Sequence, residues 1–136
     1  MPLTITAANI IPVAGYSFGT GVSGGTLTAG MPVYKDASDS DKIKAADANA
    51  SDAAAAAVGI TLHAALTGQP VKYITGGNLG FGAILTAGLV YVVGATTAGD
   101  IEASTALTTN WRTSILGVAT TTSNLALNII VSGATV

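Results

Sequence analysis

The sequence predicts an all-β protein that folds as a compact β-barrel or sandwich. Short runs rich in Val, Ile, Thr and Tyr recur along the chain and are bounded by Gly, Asn, Asp or Ser. The tetrapeptide Leu-Thr-Ala-Gly also occurs twice, at 27–30 and 85–88. A chain of 136 residues is ordinarily one domain with a core of its own. We therefore divide it into an extended N-terminal arm, residues 1–25, and a single β domain, residues 26–136.

The strand candidates are the runs in which β-branched and aromatic residues are concentrated between turn residues. In chain order they are Leu3–Ala7, Pro32–Asp36, Val58–Leu66, Pro70–Ile74, Leu89–Val93, Ser114–Ala119 and Leu125–Val131. In the last of these, Leu125, Leu127, Ile129 and Val131 alternate with Ala126, Asn128 and Ile130. This period of two predicts that the first set faces the core.

The alanine-rich stretch from Ala45 to Gly59 is the exception to this β pattern. Alanine favours helix, but no large apolar residue recurs there at helical spacing. We expect at most a short helical turn after a cap at Ser51 or Asp52. The preceding charged loop, Lys35–Lys44, is predicted to face solvent.

The repeated tetrapeptide belongs to a longer internal repeat with an offset of 58 residues. The offset pairs Leu27–Gly30 with Leu85–Gly88, Ile43 with Ile101, Ala45 with Ala103, and Val58-Gly59-Ile60 with Leu116-Gly117-Val118. Only the two Val-Tyr steps slip by one, because the first copy has the extra Pro32. We predict a pseudo-repeated structure in which Gly30 and Gly88 take positive φ in equivalent turns, while Gly59 and Gly117 centre equivalent strands.

The composition indicates burial against other protein subunits. Charged residues make up 9% of the chain and hydrophobic residues 49%. Such a composition leaves few charges for the surface of a monomeric domain. The apolar runs are shorter than the roughly 20 residues that a membrane span needs, and the N-terminus lacks the pattern of a secretory signal. The five Lys and Arg form no basic stripe, so direct nucleic-acid binding is not expected.

Two motifs that suggest enzymes stand in the wrong context. Gly19–Gly24 matches the dinucleotide fingerprint, and Gly21–Gly25 matches the nucleophile elbow, but no helix follows either. We interpret this stretch as a flexible or tightly turning loop. The single histidine, His63, is predicted to be a surface or interface residue. We expect no catalytic residue, no cofactor and no enzymatic activity.

Three carboxylates, Asp36, Asp39 and Asp41, lie within six residues and have the oxygen ligands that a hard cation takes. They alternate with lysines, and no bidentate glutamate follows. The pattern favours a solvated hairpin tip over a metal site.

Candidate interface residues come from two places in the chain. The N-terminal segment is more apolar than a free terminus, which would suit a bridging arm that adds a strand to a neighbouring sheet. Its candidate contacts are Leu3, Ile5, Ile10, Ile11, Tyr16 and Phe18. Trp111 and Arg112 form either an exposed aromatic–cation pair at an interface or a partly buried Trp beside a surface Arg.

The order of strands between Gly30 and Val131 resembles that of the small capsid cement, or decoration, proteins of tailed bacteriophages. The blocks that carry the resemblance are GMPVY, AVGITLHAALTGQPVKYITGG, LTAGLVYVVG, DIEA, SILGVA and the closing alternating strand. The segment before residue 26 and the alanine stretch have no clear counterpart.

The resemblance implies a structural virion protein with a compact β fold. Such a protein is made in the host cytoplasm and binds the exterior of an assembled phage head. It stabilises the head by bridging neighbouring subunits of the major capsid protein, and it commonly associates with itself as a homotrimer. The alternative is a β domain of a phage tail or head fibre.

Overall fold

The computed structural model describes residues 2–13 and 15–136, and the chain is mostly β, with 46% of residues in strands. The all-β prediction is confirmed. The strands are β1 (Ile11–Pro12), β2 (Ser17–Val22), β3 (Pro32–Asp36), β4 (Lys42–Ala45), β5 (Gly59–Thr61), β6 (Pro70–Gly80), β7 (Val90–Val93), β8 (Ile101–Ala103), β9 (Arg112–Ala119) and β10 (Asn124–Thr135). The α-helix is α1 (Asp52–Ala55), and 3-10 turns lie at Ala7–Asn9, Ala37–Asp39 and Ser104–Ala106.

The strands form one curled antiparallel sheet, a half-barrel with the order β4-β3-β5-β6-β10-β9-β7-β8. The long strand β6 is at its centre. One edge of β6 pairs first with β5 and then with β10, while β2 and β1 follow each other along the opposite edge.

The predicted repeat is confirmed by this topology, because the order β4-β3-β5-β6 is mirrored by β8-β7-β9-β10. The residue pairing also keeps the offset of 58 in both hairpins. The equivalent pairs are Val33–Ala45 and Tyr91–Ala103, Pro32–Ile60 and Val90–Val118, and Val33–Gly59 and Tyr91–Gly117. The slip of one residue at the Val-Tyr steps is therefore confined to the sequence, since Val33 and Tyr91 occupy the same place in the two backbones.

The two turn glycines behave as predicted. Gly30 has a φ of 84° and Gly88 a φ of 83°. Each N–H donates to the carbonyl at the end of the equivalent strand, Thr61 for Gly30 at 2.9 Å and Ala119 for Gly88 at 2.7 Å. Positive φ is open to glycine at no steric cost, so both copies place glycine at this turn.

The repeat extends further towards the N-terminus than the sequence analysis placed it. β2 pairs antiparallel with the first half of β6, and the second half of β6 pairs antiparallel with β10. The two pairings have corresponding places in the halves, but the register differs, because Val22 pairs with Pro70 whereas Gly80 pairs with Asn124 rather than with Asn128. The division at residue 25 stays a prediction, but the sheet runs across it, because Ser23 bridges Ile43 of β4.

Two structural expectations are wrong. Residues 3–7 form no strand: Leu3 donates one main-chain hydrogen bond to Ile101, at 2.9 Å, the carbonyls of Thr6 and Ala7 accept bonds from the following 3-10 turn, and the side chains of Leu3 and Ile5 pack against the core. The loop predicted for Lys35–Lys44 contains β4, whose Ile43 is fully buried.

The helical expectation is confirmed. Helix α1 has one turn, and the Ser51 hydroxyl caps it by accepting the N–H of Ala54 at 3.0 Å.

The core consists of two clusters. The smaller lies within the first half and contains Leu27, Val33, Ile43, Ala65, Val71 and Tyr73. The larger joins the two halves, since it includes Ile60 and Ile74 of the first half together with Phe81, Leu116 and Leu125 of the second. In β10, Leu125, Leu127 and Ile129 face this core as predicted, but Val131, which follows a register shift between Leu127 and Ile130, is exposed.

Candidate interaction surface

The three clustered carboxylates belong to a lysine-neutralised hairpin tip. The Lys44 ammonium lies 2.7 Å from Asp36 and 3.0 Å from Asp39, and Lys42 also pairs with Asp39. The hydrogen bond from Lys44 lowers the pKa of Asp36 to about 2. Within residues 2–13 and 15–136, no group of three or more His, Cys, Asp or Glu is arranged to hold a metal ion.

His63 is exposed, as predicted for a surface residue. Its Nε2 accepts the N–H of Lys72 at 3.0 Å, so Nδ1 carries the proton and donates to the Ala64 carbonyl at 2.9 Å. These two backbone contacts fix the orientation of the ring.

The glycines of the fingerprint-like motif lie in a strand. The expectation of a loop at 19–24 is wrong for residues 19–22, which belong to β2. A Cβ at Gly19 would lie 2.7 Å from the Tyr73 ring, and a Cβ at Gly21 would lie 2.7 Å from the Ile43 side chain. These glycines allow β2 to approach two core residues of the first half closely.

An exposed apolar stripe follows β1 and β2 along one edge of β6. Its large members are Ile11, Val13, Phe18 and Val22, and we call this set the β1–β2 stripe. Ile11 is 60% exposed, Phe18 52% and Val22 47%. The exposure of these large apolar side chains along one sheet edge makes the edge the candidate interaction site.

An aromatic and a cation lie at the middle of the β1–β2 stripe. The Lys72 ammonium is 4.0 Å from the centre of the Phe18 ring, and the Tyr16 ring centre is 6.3 Å from that of Phe18. Tyr16 is half-buried against the core. An aromatic anchor beside a cation is the kind of group that dominates protein interfaces.

The first part of the N-terminal segment faces inward. Ile10 is only 6% exposed, and Leu3 and Ile5 pack against the larger core cluster. The N–H of Leu3 donates to the carbonyl of Ile101, whereas at the equivalent place in the first half Gly24 donates to Ile43 at 2.8 Å. The N-terminal segment therefore supplies, in the second half, the hydrogen-bond donor that in the first half comes from Gly24, just after β2.

The side chains of Trp111 and Arg112 lie in different environments. Trp111 is 8% exposed and belongs to the core, which is the buried alternative of the two given for it. Arg112 donates from Nε to the Asp52 carboxylate at 2.5 Å and so ties β9 to α1.

Of the predicted interface residues, Ile11 and Phe18 are well exposed, and Ile10 and Trp111 lie in the core. Leu3, Ile5, Tyr16 and Arg112 are partly buried. Sequence reasoning missed Val13 and Val22. The alternation of Phe18, Thr20 and Val22 with Gly19 and Gly21 was a usable signal, because bulky residues at every second position indicate one outward face. A second exposed apolar group, Ile130, Val131 and Val136, lies beyond the part of β10 that pairs with β6.

No helix in the described part of the chain is both long and apolar enough to span a membrane. Comparison of the chain with protein-family models, with curated proteins and with solved structures finds no match. The proposals below therefore rest on the residues and their geometry.

Proposed function

We propose that this protein is a capsid cement protein, which binds the outer surface of an assembled phage head and bridges neighbouring major capsid subunits. The observation that carries the proposal is the β1–β2 stripe, an exposed apolar surface on a rigid sheet with one aromatic–cation pair. A surface repeated many times on a lattice needs modest affinity at each contact, since the lattice multiplies it.

The sparse charge of the chain supports the same function. With 9% charged residues, and with Lys42, Lys44 and Arg112 engaged in internal ion pairs, the surface is suited to apolar contacts. The burial of Ile10 and the packing of Leu3 and Ile5 against the core modify the role proposed for the N-terminal arm. In this proposal the exposed residues Ile11 and Phe18 contact the capsid, while the inward residues hold the segment on its own domain.

The test uses phage heads that lack the protein and that are then decorated with purified variants. Phe18→Ser combined with Val22→Ser removes the centre of the stripe, and Leu66→Ser is the matched control, because Leu66 is 59% exposed and lies outside the stripe. Wild type and Leu66→Ser are expected to bind and to raise the temperature at which heads rupture, and the double variant is expected to do neither.

Two outcomes would count against this reading. Full protection by the stripe variant would remove the stripe from the interface. Failure of wild type to bind heads, together with binding to tails or fibres, would favour the fibre domain instead.

We also propose that the protein associates as a homotrimer. Sedimentation velocity over a wide concentration range is expected to show the trimer. A strict monomer at high concentration would contradict an intrinsic trimer and confine any three-fold contact to the capsid surface.

A further inference from the structure

A cavity of ≈ 140 Å³ lies where the N-terminal segment crosses the two halves of the repeat. Leu3 and Ile5 form one side, Met31 lies in the turn of the first half, and Asp100 and Ile101 belong to the hairpin tip of the second half. The cavity is separate from the β1–β2 stripe, because none of its lining residues belongs to the stripe.

The cavity lies where the two halves differ. In the first half, the carbonyl of Ile43 receives a hydrogen bond from Gly24 next to β2. In the second half, the carbonyl of Ile101 receives it from Leu3, which comes from a separate segment. That segment closes the second half through one hydrogen bond and a few side chains, and open space remains beside it.

The walls combine apolar side chains with one carboxylate. Leu3, Ile5 and Met31 supply apolar side-chain surface, and Asp100 supplies the acid. Asp100 Oδ2 accepts the N–H of Thr97 at 2.9 Å. Desolvation by burial raises the pKa of Asp100, and the carboxylates of Glu102 and Asp47 raise it further.

Of the five Lys and Arg side chains, four contact groups away from the cavity, and the fifth, Lys35, is exposed on β3. Lys42 and Lys44 pair with the hairpin tip of the first half, Arg112 pairs with Asp52, and Lys72 lies over the Phe18 ring. Among the described residues, no ion pair includes Asp100. A cation that enters the cavity would therefore meet a carboxylate that has no cationic partner within the described chain.

We propose that this cavity is a binding pocket for the alkylammonium end of a lysine side chain from a partner protein. The aliphatic stem would pack along Leu3, Ile5 and Met31 while the ammonium reaches the Asp100 carboxylate. A cavity of about 150 Å³ holds a benzene molecule, so a stem of four carbons with its nitrogen fits the available space. The identification of the partner as a capsid subunit rests on the proposed function, whereas the pocket itself does not.

The first experiment uses n-butylammonium chloride as the probe and n-butanol as its uncharged counterpart. Binding is followed by the NMR signals of the methyl groups of Ile5, Met31 and Ile101. We expect n-butylammonium to bind about ten-fold more tightly than n-butanol, because only the ammonium pairs with the carboxylate. Equal binding of the two probes, or no binding of n-butylammonium, would overturn the proposal.

Variants locate the charge that the probe recognises. Asp100→Asn keeps an oxygen that accepts the Thr97 N–H, so the loop is preserved, and it should remove the preference for n-butylammonium. Asp41→Asn is the matched control, since Asp41 is an exposed acid of the other hairpin tip and should leave the preference unchanged. Retention of the preference in Asp100→Asn would overturn the assignment of the acid.

Binding of the same variants to empty heads distinguishes this inference from the proposed function. If Asp100→Asn both loses the probe preference and weakens head binding, the lysine belongs to the capsid subunit. Probe binding without any head binding by wild type would refute the cement function and leave the pocket. Head binding by wild type without probe binding would refute the pocket and leave the cement function.

Discussion

Gly30 and Gly88 permit a controlled measurement of what the N-terminal segment contributes to stability. The two residues occupy equivalent turns with φ of 84° and 83°, so alanine at either position incurs the same left-handed strain. That strain is about 1–2 kcal/mol for an L-residue. Their surroundings differ, because a Cβ at Gly88 has nothing within 4 Å, whereas a Cβ at Gly30 would lie 2.8 Å from Cγ2 of Ile5 and 3.0 Å from Cδ1 of Ile10.

The expected free-energy differences follow from these distances. Gly88→Ala should lower the free energy of unfolding by about 1–2 kcal/mol from strain alone. Gly30→Ala adds overlap with two side chains in a packed region, which costs about 1–3 kcal/mol more. The lower end of that range applies if Ile5 changes rotamer. We therefore expect Gly30→Ala to be the more destabilising by about 1–2 kcal/mol, or several degrees in Tm for a domain of this size.

Urea unfolding of wild type, both single variants and their combinations with Ile5→Ala measures this difference. In the Ile5→Ala background one of the two close contacts is gone, so Gly30→Ala should cost about 1 kcal/mol less, while the cost of Gly88→Ala should not change. Equal destabilisation by Gly30→Ala and Gly88→Ala would refute the packing of the segment on this turn. The same conclusion would follow if Ile5→Ala leaves the cost of Gly30→Ala unaltered.

Three further predictions concern the hairpin tip and the core. The hydrogen bond with Lys44 lowers the pKa of Asp36 from 3.8 to about 2, so this stabilisation is present above pH 4 and lost as the pH falls towards 2. In urea unfolding, Asp36→Asn should therefore lose less stability than wild type over that pH range, and a pH profile identical to that of wild type would contradict this. In the same assay, Gly117→Ala should lower the free energy of unfolding by about 3 kcal/mol or more, because its Cβ would overlap a backbone carbonyl of β10. The control Gly25→Ala has open space around its Cβ, so its free energy of unfolding should stay within about 0.5 kcal/mol of wild type. The buried hydroxyl of Ser114 has no hydrogen-bond partner among the described residues. Ser114→Ala should therefore leave the free energy of unfolding unchanged or raise it by up to about 1 kcal/mol. A clear loss of stability would show that the hydroxyl does make a hydrogen bond.

The strands that could be predicted are those with large β-branched residues between turn residues. β3 begins and ends where expected, and β7, β9 and β10 differ from their predicted ranges by a few residues at the ends. β1, β2, β4 and β8 were missed, since β1 has only two residues, β2 is rich in glycine, and β4 and β8 are short and carry charges. The opposite error occurred at residues 3–7, whose alternation suggests a strand although they form no ladder with a neighbour.

The interaction surface was predictable only in part. Apolar residues of the N-terminal segment were correctly singled out, but the sequence contains no signal that Ile10 is buried while Ile11, its neighbour, is exposed. The difference arises because Ile11 pairs with β6 as its outer strand, while Ile10 turns towards the core and Gly30. The cavity beside Asp100 was likewise invisible, because its walls come from three distant parts of the chain.

The sequence by itself determined the all-β class, the repeat and the glycines at its turns. These features follow from local chemistry: the period of side chains along a strand, the offset of 58 between equivalent residues, and the freedom of glycine at positive φ. The tertiary structure decided which apolar residues face outward and how the second half is closed. Leu3 reaches Ile101 across nearly one hundred residues of chain, and such contacts depend on how the whole sheet curls rather than on local preference.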